Sequence, residues 1–238
     1  MSGHSKWSTI KRKKGANDAK RGKLFTKLIK EIAVAAKMGD SNPENNPSLR
    51  LAIDKARSNS MPKATIDRAI AKAAGELGGE NYENLTYEGY GPAGVAVLVQ
   101  CLTDNRNRTA SEVKHAFTKA GGNLGASGSV AYQFKTCGLF TIAEADVDED
   151  TVMEAVLDGG GDDVELEEGL WVVTCERGSY DTCKKALLAL GVELKSSELT
   201  RIPENTIEIS DEDGAKLTRL LSVLEDLDDV QETYTNAG

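Results

Sequence analysis

Apolar residues recur at helical spacing over the first third of the chain, and at strand spacing alternating with helical spacing thereafter. Phe25, Leu28, Ile29, Ile32, Ala33 and Ala36 fall at i, i+3, i+4, i+7, i+8 and i+11. That is one apolar stripe of a helix that begins near Ala16 and stops at Gly39. Lys20, Lys23, Lys27 and Lys30 lie off the stripe and are expected to face solvent or a ligand. A second helix starts at Asn46-Pro47, with Asn as cap and Pro in the first turn; Leu49, Ala52, Ile53 and Ala56 are its buried side. A third starts at Pro62, turns Ile66, Ala69, Ile70 and Ala73 inward, and ends at Gly75. Short connections and Ala-rich faces predict a local three-helix bundle.

The pattern then changes. The run 95–103 reads as a buried strand. Thr109-x-x-Glu112 reads as a capping box opening a helix that buries Val113, Ala116, Phe117 and Ala120. A strand is expected at 129–134. Next come a strand at 138–142, a helix at 148–157, a hairpin of 164–167 and 170–175 around Glu168-Gly169, a helix at 179–190 and a strand at 192–201. This is the order βαββαβ of a ferredoxin-like sandwich. After Pro203 a strand at 206–209, a helix at 210–224 and a strand at 230–234 would complete a second βαββαβ with the earlier pieces. The expected fold is therefore multidomain α+β, an N-terminal three-helix domain followed by two ferredoxin-like domains, one inserted in the other. The boundaries are 1–78 for arm and bundle, 79–135 with 204–238 for the discontinuous domain, and 136–203 for the insert.

Charge divides the chain in the same place. The whole carries a net charge of −9. Its first 37 residues hold eleven Lys and Arg against two Asp and Glu; residues 76–238 hold twelve against thirty-two. The low overall pI hides a cationic end that suits a polyanion. Residues 1–15 have no apolar period, so an arm rather than a packed element is expected. Lys6, Lys11, Arg12, Lys13, Lys14, Lys20, Arg21 and Lys23 are the candidate phosphate contacts, as charges on an arm beside a rigid helix can neutralise phosphates. Trp7 could stack on a base or anchor the arm. In the acidic part, Thr103-Asp-Asn-Arg-Asn-Arg-Thr109 places Arg106 and Arg108 at a helix start, where they could hold phosphate or simply shape a turn.

Other chemistry finds little support. Cys101, Cys137, Cys175 and Cys183 contain no C-x-x-C pair, and His4 and His115 are the only histidines, so no zinc set assembles. Cys101 and Cys175 lie in apolar strand-like runs and are expected to be buried free thiols, and the cysteine pattern suggests a reducing compartment. Asp146-x-Asp148-x-Asp150 begins like a calcium loop, but Thr151 and Leu157 stand where the turn glycine and the bidentate Glu belong. Gly89-Tyr-Gly91-Pro-Ala-Gly94 spells a dinucleotide fingerprint but precedes a strand, so a tight turn explains it better. No catalytic constellation, metal site or cofactor is expected, and no apolar run is long enough for a bilayer.

Several stretches resemble the YebC family. They are Gly3-His-Ser-Lys-Trp7, Ile10-Lys11, Asp18-Ala-Lys-Arg-Gly22, Phe25-Thr-Lys27, Glu31-Ile32, Tyr87-Glu-Gly-Tyr-Gly-Pro92, the segment Thr103–Thr109, Gly121-Gly-Asn-Leu-Gly125 and Gly128-Ser-Val130. Ala93 departs from the family, which commonly has Gly there; Ala is tolerated unless the position needs a positive φ. The resemblance implies a cytoplasmic, non-enzymatic protein of three domains. Bacterial members are commonly labelled DNA-binding transcriptional regulators. A mitochondrial relative is a translational activator of cytochrome c oxidase, and some bacterial members are linked to relief of ribosome stalling. The expected function is a nucleic-acid-binding regulator of gene expression of the kind labelled a transcriptional regulator, with a ribosomal-RNA-binding translation factor as the alternative. A basic arm serves DNA and RNA phosphates alike, and the acidic domains would suit basic protein partners. An enzyme, or an acidic scaffold whose arm merely solvates, are the other readings.

Overall fold

The computed structural model describes residues 21–75 and 82–238. They fall into two compact units, one formed by 21–75 with 136–201, the other by 82–135 with 202–238.

In the first unit, helices α1 (Arg21–Met38), α2 (Pro47–Ser58) and α3 (Lys63–Gly75) enclose a core of Leu28, Ile32, Leu49, Ile53, Ala56 and Ile66. Asn46 caps α2 and joins it to α1. Its Oδ1 accepts from the Leu49 amide at 3.0 Å, while its Nδ2 donates to the carbonyls of Ala35 and Asp40 at 2.8 and 2.7 Å. The cap thus satisfies an orphan amide and carbonyls beyond its own helix. Lys27 corrects the expectation from the stripe: it is buried although it lies off the apolar positions.

The same unit holds the second sheet, with strand order β5 (Gly161–Glu167), β6 (Leu170–Glu176), β4 (Phe134–Ala143) and β7 (Leu194–Pro203). In the numbering of its own four strands this is the order 2-3-1-4. The β5–β6 turn has Glu168 and Gly169 both at positive φ, as a type I′ hairpin requires. Helices α5 (Glu149–Gly159) and α6 (Tyr180–Ala189) bury Val152, Val156, Cys183 and Leu187 against Phe140, Ile142, Trp171 and Val173. The Phe140 and Tyr180 rings stack at 5.0 Å. Helix α2 docks on this layer. Leu51 packs into its core, Arg50 meets Asp181 at 3.2 Å and Lys184 meets Asp54 at 2.5 Å.

In the second unit the sheet order is β3 (Asn123–Leu124), β1 (Glu83–Tyr90), β2 (Ala96–Thr103) and β8 (Val230–Thr235), each pair antiparallel. Strand β2 is central and buried on both faces, which is why it reads as a continuous apolar run. Val97, Val99 and Cys101 face helices α4 (Arg106–Lys119) and α7 (Asp211–Glu225), which contribute Val113, Phe117, Leu220 and Leu224. Ala96 and Leu98 face the opposite way, against Val130, Phe134 and Tyr234. All four cysteines are buried free thiols.

This unit departs from the expected βαββαβ plan: it opens with the antiparallel β1–β2 hairpin. Strand β1 alternates Leu85 and Tyr87, which pack on the core, with the polar Asn84, Thr86 and Glu88, a pattern the sequence reading passed over. The strand expected at 129–134 is a turn of 3₁₀ helix, Ala131–Gln133, leading into β4. Its donors are claimed by a side chain instead of a neighbouring strand. The buried Glu88 carboxylate accepts from the amides of Gly128, Val130 and Ala131 at 2.7, 2.8 and 2.7 Å. The strand expected at 206–209 is a single bridge between Ile207 and Ala237. The expected capping box at Thr109 also gives way. Helix α4 starts at Arg106, with Asn105 as its cap, and Thr109 is buried within it.

Candidate nucleic-acid interface

Of the ten candidate residues, Lys6, Lys11, Arg12, Lys13, Lys14 and Lys20 lie outside the described residues, as does Trp7. Arg21 and Lys23 open helix α1. Arg21 is exposed, with its guanidinium carbon 5.4 Å from the centroid of the Phe25 ring. Stacking holds the guanidinium plane on the helix surface without neutralising it. Lys23 is half-buried one turn before Lys27.

Sequence reasoning passed over a further basic face. Helix α3 leaves Lys63, Arg68 and Lys72 exposed, the last two one turn apart. The signal was there: once Ile66, Ala69 and Ala73 are assigned to the core, these cations must point away from it.

Arg106 and Arg108 are placed differently. The turn before α4 is built by hydroxyls and amides: Asn105 Oδ1 accepts from the Arg108 amide at 3.1 Å, and Thr103 Oγ1 accepts from the Asn105 amide at 2.9 Å. Behind the turn sits Asp229, 3% exposed, on the approach to β8. Its Oδ2 accepts from Thr103 Oγ1 at 3.0 Å, Thr109 Oγ1 at 2.8 Å, and Arg108 Nε and Nη2 at 3.2 and 2.5 Å. Arg108 Nη2 also donates to Asp104 Oδ1 at 2.7 Å. The two carboxylates raise the guanidinium pKa above its ordinary value, Asp229 first. Arg106 pairs with Glu83 at 3.1 Å, with both side chains largely exposed, and its carbonyl accepts from the Tyr87 hydroxyl at 3.3 Å. Burial pushes the Tyr87 hydroxyl pKa up. Two arginines thus meet three carboxylates, and the turn offers a phosphate no surplus positive charge.

The glycine-rich stretches have structural work too. A Cβ on Gly89 would stand 2.6 Å from the Asn123 carbonyl and 2.7 Å from the Phe117 ring, so this crossing of β1 over α4 admits only glycine. Tyr90 donates its hydroxyl to the Ser129 carbonyl at 2.9 Å, and Glu88 gathers 128–131. The stretches 87–92 and 121–130 therefore meet and lock one another. At the calcium-like loop, Asp148 Oδ1 accepts from the Thr151 amide at 3.0 Å and caps α5. Those contacts hold the carboxyl below its usual range. Among the described residues no group of three or more His, Cys, Asp and Glu side chains could hold a metal ion. No helix among them is long and apolar enough to cross a membrane.

Comparison with known proteins gives two adjoining family matches. Residues 5–76 match the TACO1/YebC protein N-terminal domain, and residues 82–237 match the TACO1/YebC second and third domain. The chain belongs to the TACO1/YebC family. Its relatives are similar throughout their length. A protein of Acidithiobacillus ferrooxidans is 54% identical over 99% of this chain and 94% of its own. One of Desulfatibacillum aliphaticivorans is 50% identical over 100% and 96%. Both carry the name "Probable transcriptional regulatory protein". The crystal structure of a conserved hypothetical protein from Aquifex aeolicus is 46% identical, covers 93% of this chain and 91% of its own, and superposes with a TM-score of 0.80. Ala93 sits at φ 57° in the β1–β2 turn, a left-handed position that favours Gly.

Proposed function

We propose that this protein is a non-enzymatic, nucleic-acid-binding regulator of gene expression, held on its target by the basic N-terminal region. The observation that carries this is the charge division: eleven basic against two acidic residues in the first 37, on a chain whose remainder is strongly acidic. Lys6, Lys11, Arg12, Lys13, Lys14, Lys20, Arg21 and Lys23 are the phosphate contacts, with Arg68 and Lys72 extending the cationic surface. Arg106 and Arg108 are assigned to the fold, since their charges are already matched. The names of the relatives favour transcription, and so a DNA target for this reading. A second reading, binding of ribosomal RNA in translation, is favoured by the composition of the contact set. Lys and Arg on an arm address phosphates without reading base edges, and an acidic body can turn toward basic ribosomal proteins. In domain terms, the bundle (1–78) is the nucleic-acid end. A ferredoxin-like domain (136–203) is inserted in a discontinuous α+β domain (79–135 with 204–238), and these acidic parts are the protein-facing end. The site of action is the cytoplasm.

Ultraviolet cross-linking in cells, followed by sequencing of the attached nucleic acid, tests this. The control is a chain with Lys11, Arg12, Lys13 and Lys14 neutralised. Reads at discrete DNA sites that disappear in the control support the transcriptional reading, and reads in ribosomal RNA that disappear support the translational one. Absence of nucleic acid from the unaltered protein overturns both.

A further inference from the structure

Outside the basic region, one groove combines apolar walls with uncommitted positive charge. It runs between the C-terminal half of α4 and the outer face of α7, with a volume of about 840 Å³. Pockets of this size suit a small organic ligand, for which roughly 300–1,000 Å³ is usual. Ala116 on α4 and Leu220 on α7 are buried and form its floor, while the half-buried Ala120, which caps α4, and Val223 on α7 are its open apolar sides. Val223 is 40% exposed, an apolar side chain that the fold leaves open to water. Lys119 lines the groove from α4 and Arg219 from α7; both are exposed, and neither has an ion pair among the described residues. Their lack of partners stands out because residues 82–135 with 202–238 carry fourteen carboxylates against seven Lys and Arg. Asp213 at one end of the groove is spoken for, accepting from Lys216 at 3.1 Å and from the Ser210 hydroxyl at 2.9 Å.

We propose that this groove binds a small amphiphilic anion, with its apolar body against Ala120 and Val223, over the floor of Ala116 and Leu220, and its acidic head between Lys119 and Arg219. The charges decide the occupant. A neutral apolar ligand would leave both cations unused, and a fully hydrated anion would gain nothing from the apolar walls. This site is separate from the basic N-terminal region in sequence and in chemistry, since it offers two cations beside apolar side chains where residues 1–37 offer many cations. It makes the protein responsive to a small molecule at a place that does not itself hold nucleic acid.

The probe is anilinonaphthalene sulfonate, an aromatic body with one anionic group, titrated into the full-length chain and followed by its fluorescence. Three variants accompany it: Lys119→Glu with Arg219→Glu, Val223→Asp, and Lys114→Glu as a charge control elsewhere on α4. A fourth chain has Lys11, Arg12, Lys13 and Lys14 neutralised. All altered positions outside the arm are exposed, and circular dichroism checks that each chain folds. The expected result is saturable binding to the unaltered chain, weakened about tenfold or more in the first two variants and unchanged in the last two. Equal binding by the unaltered chain and the Lys119→Glu, Arg219→Glu variant overturns the proposal. So does binding lost only with the arm charges, or no saturable binding at all.

Discussion

Asp229 gives the sharpest quantitative handle on the fold. Its Oδ2 is the common acceptor for two buried hydroxyls, Thr103 and Thr109, and for two nitrogens of Arg108. Replacing it with Ala removes the charge-assisted bonds, which are worth about 1.5–3 kcal/mol each. The loss is not a simple sum. Thr109 Oγ1 can still bond Thr103 Oγ1, at 2.8 Å, or the Asn105 carbonyl, at 3.1 Å, and Arg108 keeps Asp104 and reaches water. What remains stranded is chiefly the Thr103 hydroxyl and the space the carboxylate filled. The expected cost of Asp229→Ala is therefore about 3 kcal/mol, and of Asp229→Asn about 1.5 kcal/mol, since the amide keeps the shape and one acceptor. For a chain of this size about 3 kcal/mol corresponds to a fall of roughly 6–12 °C in Tm. Thermal unfolding by circular dichroism measures it, with amide hydrogen exchange in β2 assigning the loss to this unit. A cost below about 1 kcal/mol for Ala would refute the reasoning that Asp229 organises the turn. Nucleic-acid affinity adds a second reading. If Arg108 braces the fold, Asp229→Asn leaves affinity unchanged; if it served phosphate, releasing it from its carboxylate would strengthen binding.

Three further outcomes follow from the same structure. Ala93→Gly relieves the left-handed strain at φ 57° and should stabilise the protein by about 0.5–1 kcal/mol, after the entropy Gly costs; a lower urea midpoint would contradict it. Glu88→Gln turns an acceptor for three amides into a group with one acceptor oxygen and should destabilise by about 2–3 kcal/mol, with exchange protection lost first at Val130 and Ala131. Acid should act through Asp40, Asp148 and Asp213, whose folded pKa values all lie below the 3.8 of a free aspartate. The folded state then binds fewer protons than the unfolded one in that range. Their contribution is complete above 3.8 and is lost as pH falls through the lower folded values; urea midpoints flat from neutral pH to well below 3.8 would contradict this.

The parts of the fold legible from sequence were those whose signal is local. Asn46-Pro47 announced α2 because cap and first turn are adjacent residues, and Glu168-Gly169 announced a hairpin because both must take positive φ. The stripe of α1 gave its core face, but not that a flanking Lys27 would be covered. What escaped was set by distant partners. Nothing near 129–134 reveals that Glu88, some forty residues earlier, takes its amides. Likewise, nothing near Arg108 shows that Asp229 waits 121 residues on, so the arginine looked available. Strand β1 was legible but missed: Leu85 and Tyr87 alternate with Asn84, Thr86 and Glu88 at strand spacing, yet only two apolar positions carry the pattern, and its pairing with β2 had to be seen. The candidate interface was readable as charge, which needs only counting. Which cations stay unmatched depends on tertiary neighbours, as Arg106 and Arg108 against Lys119 and Arg219 make plain.

The most direct test of the central claim is the salt dependence of nucleic-acid binding, measured for the unaltered chain and for one with Lys11, Arg12, Lys13 and Lys14 neutralised. Each lost phosphate contact should flatten the slope of log affinity against log salt by about 0.9 on duplex DNA or about 0.7 on single strands. The account predicts a flattening of roughly three units on whichever nucleic acid binds, similar for all sequences. An unchanged slope would contradict it and remove the arm as the seat of binding.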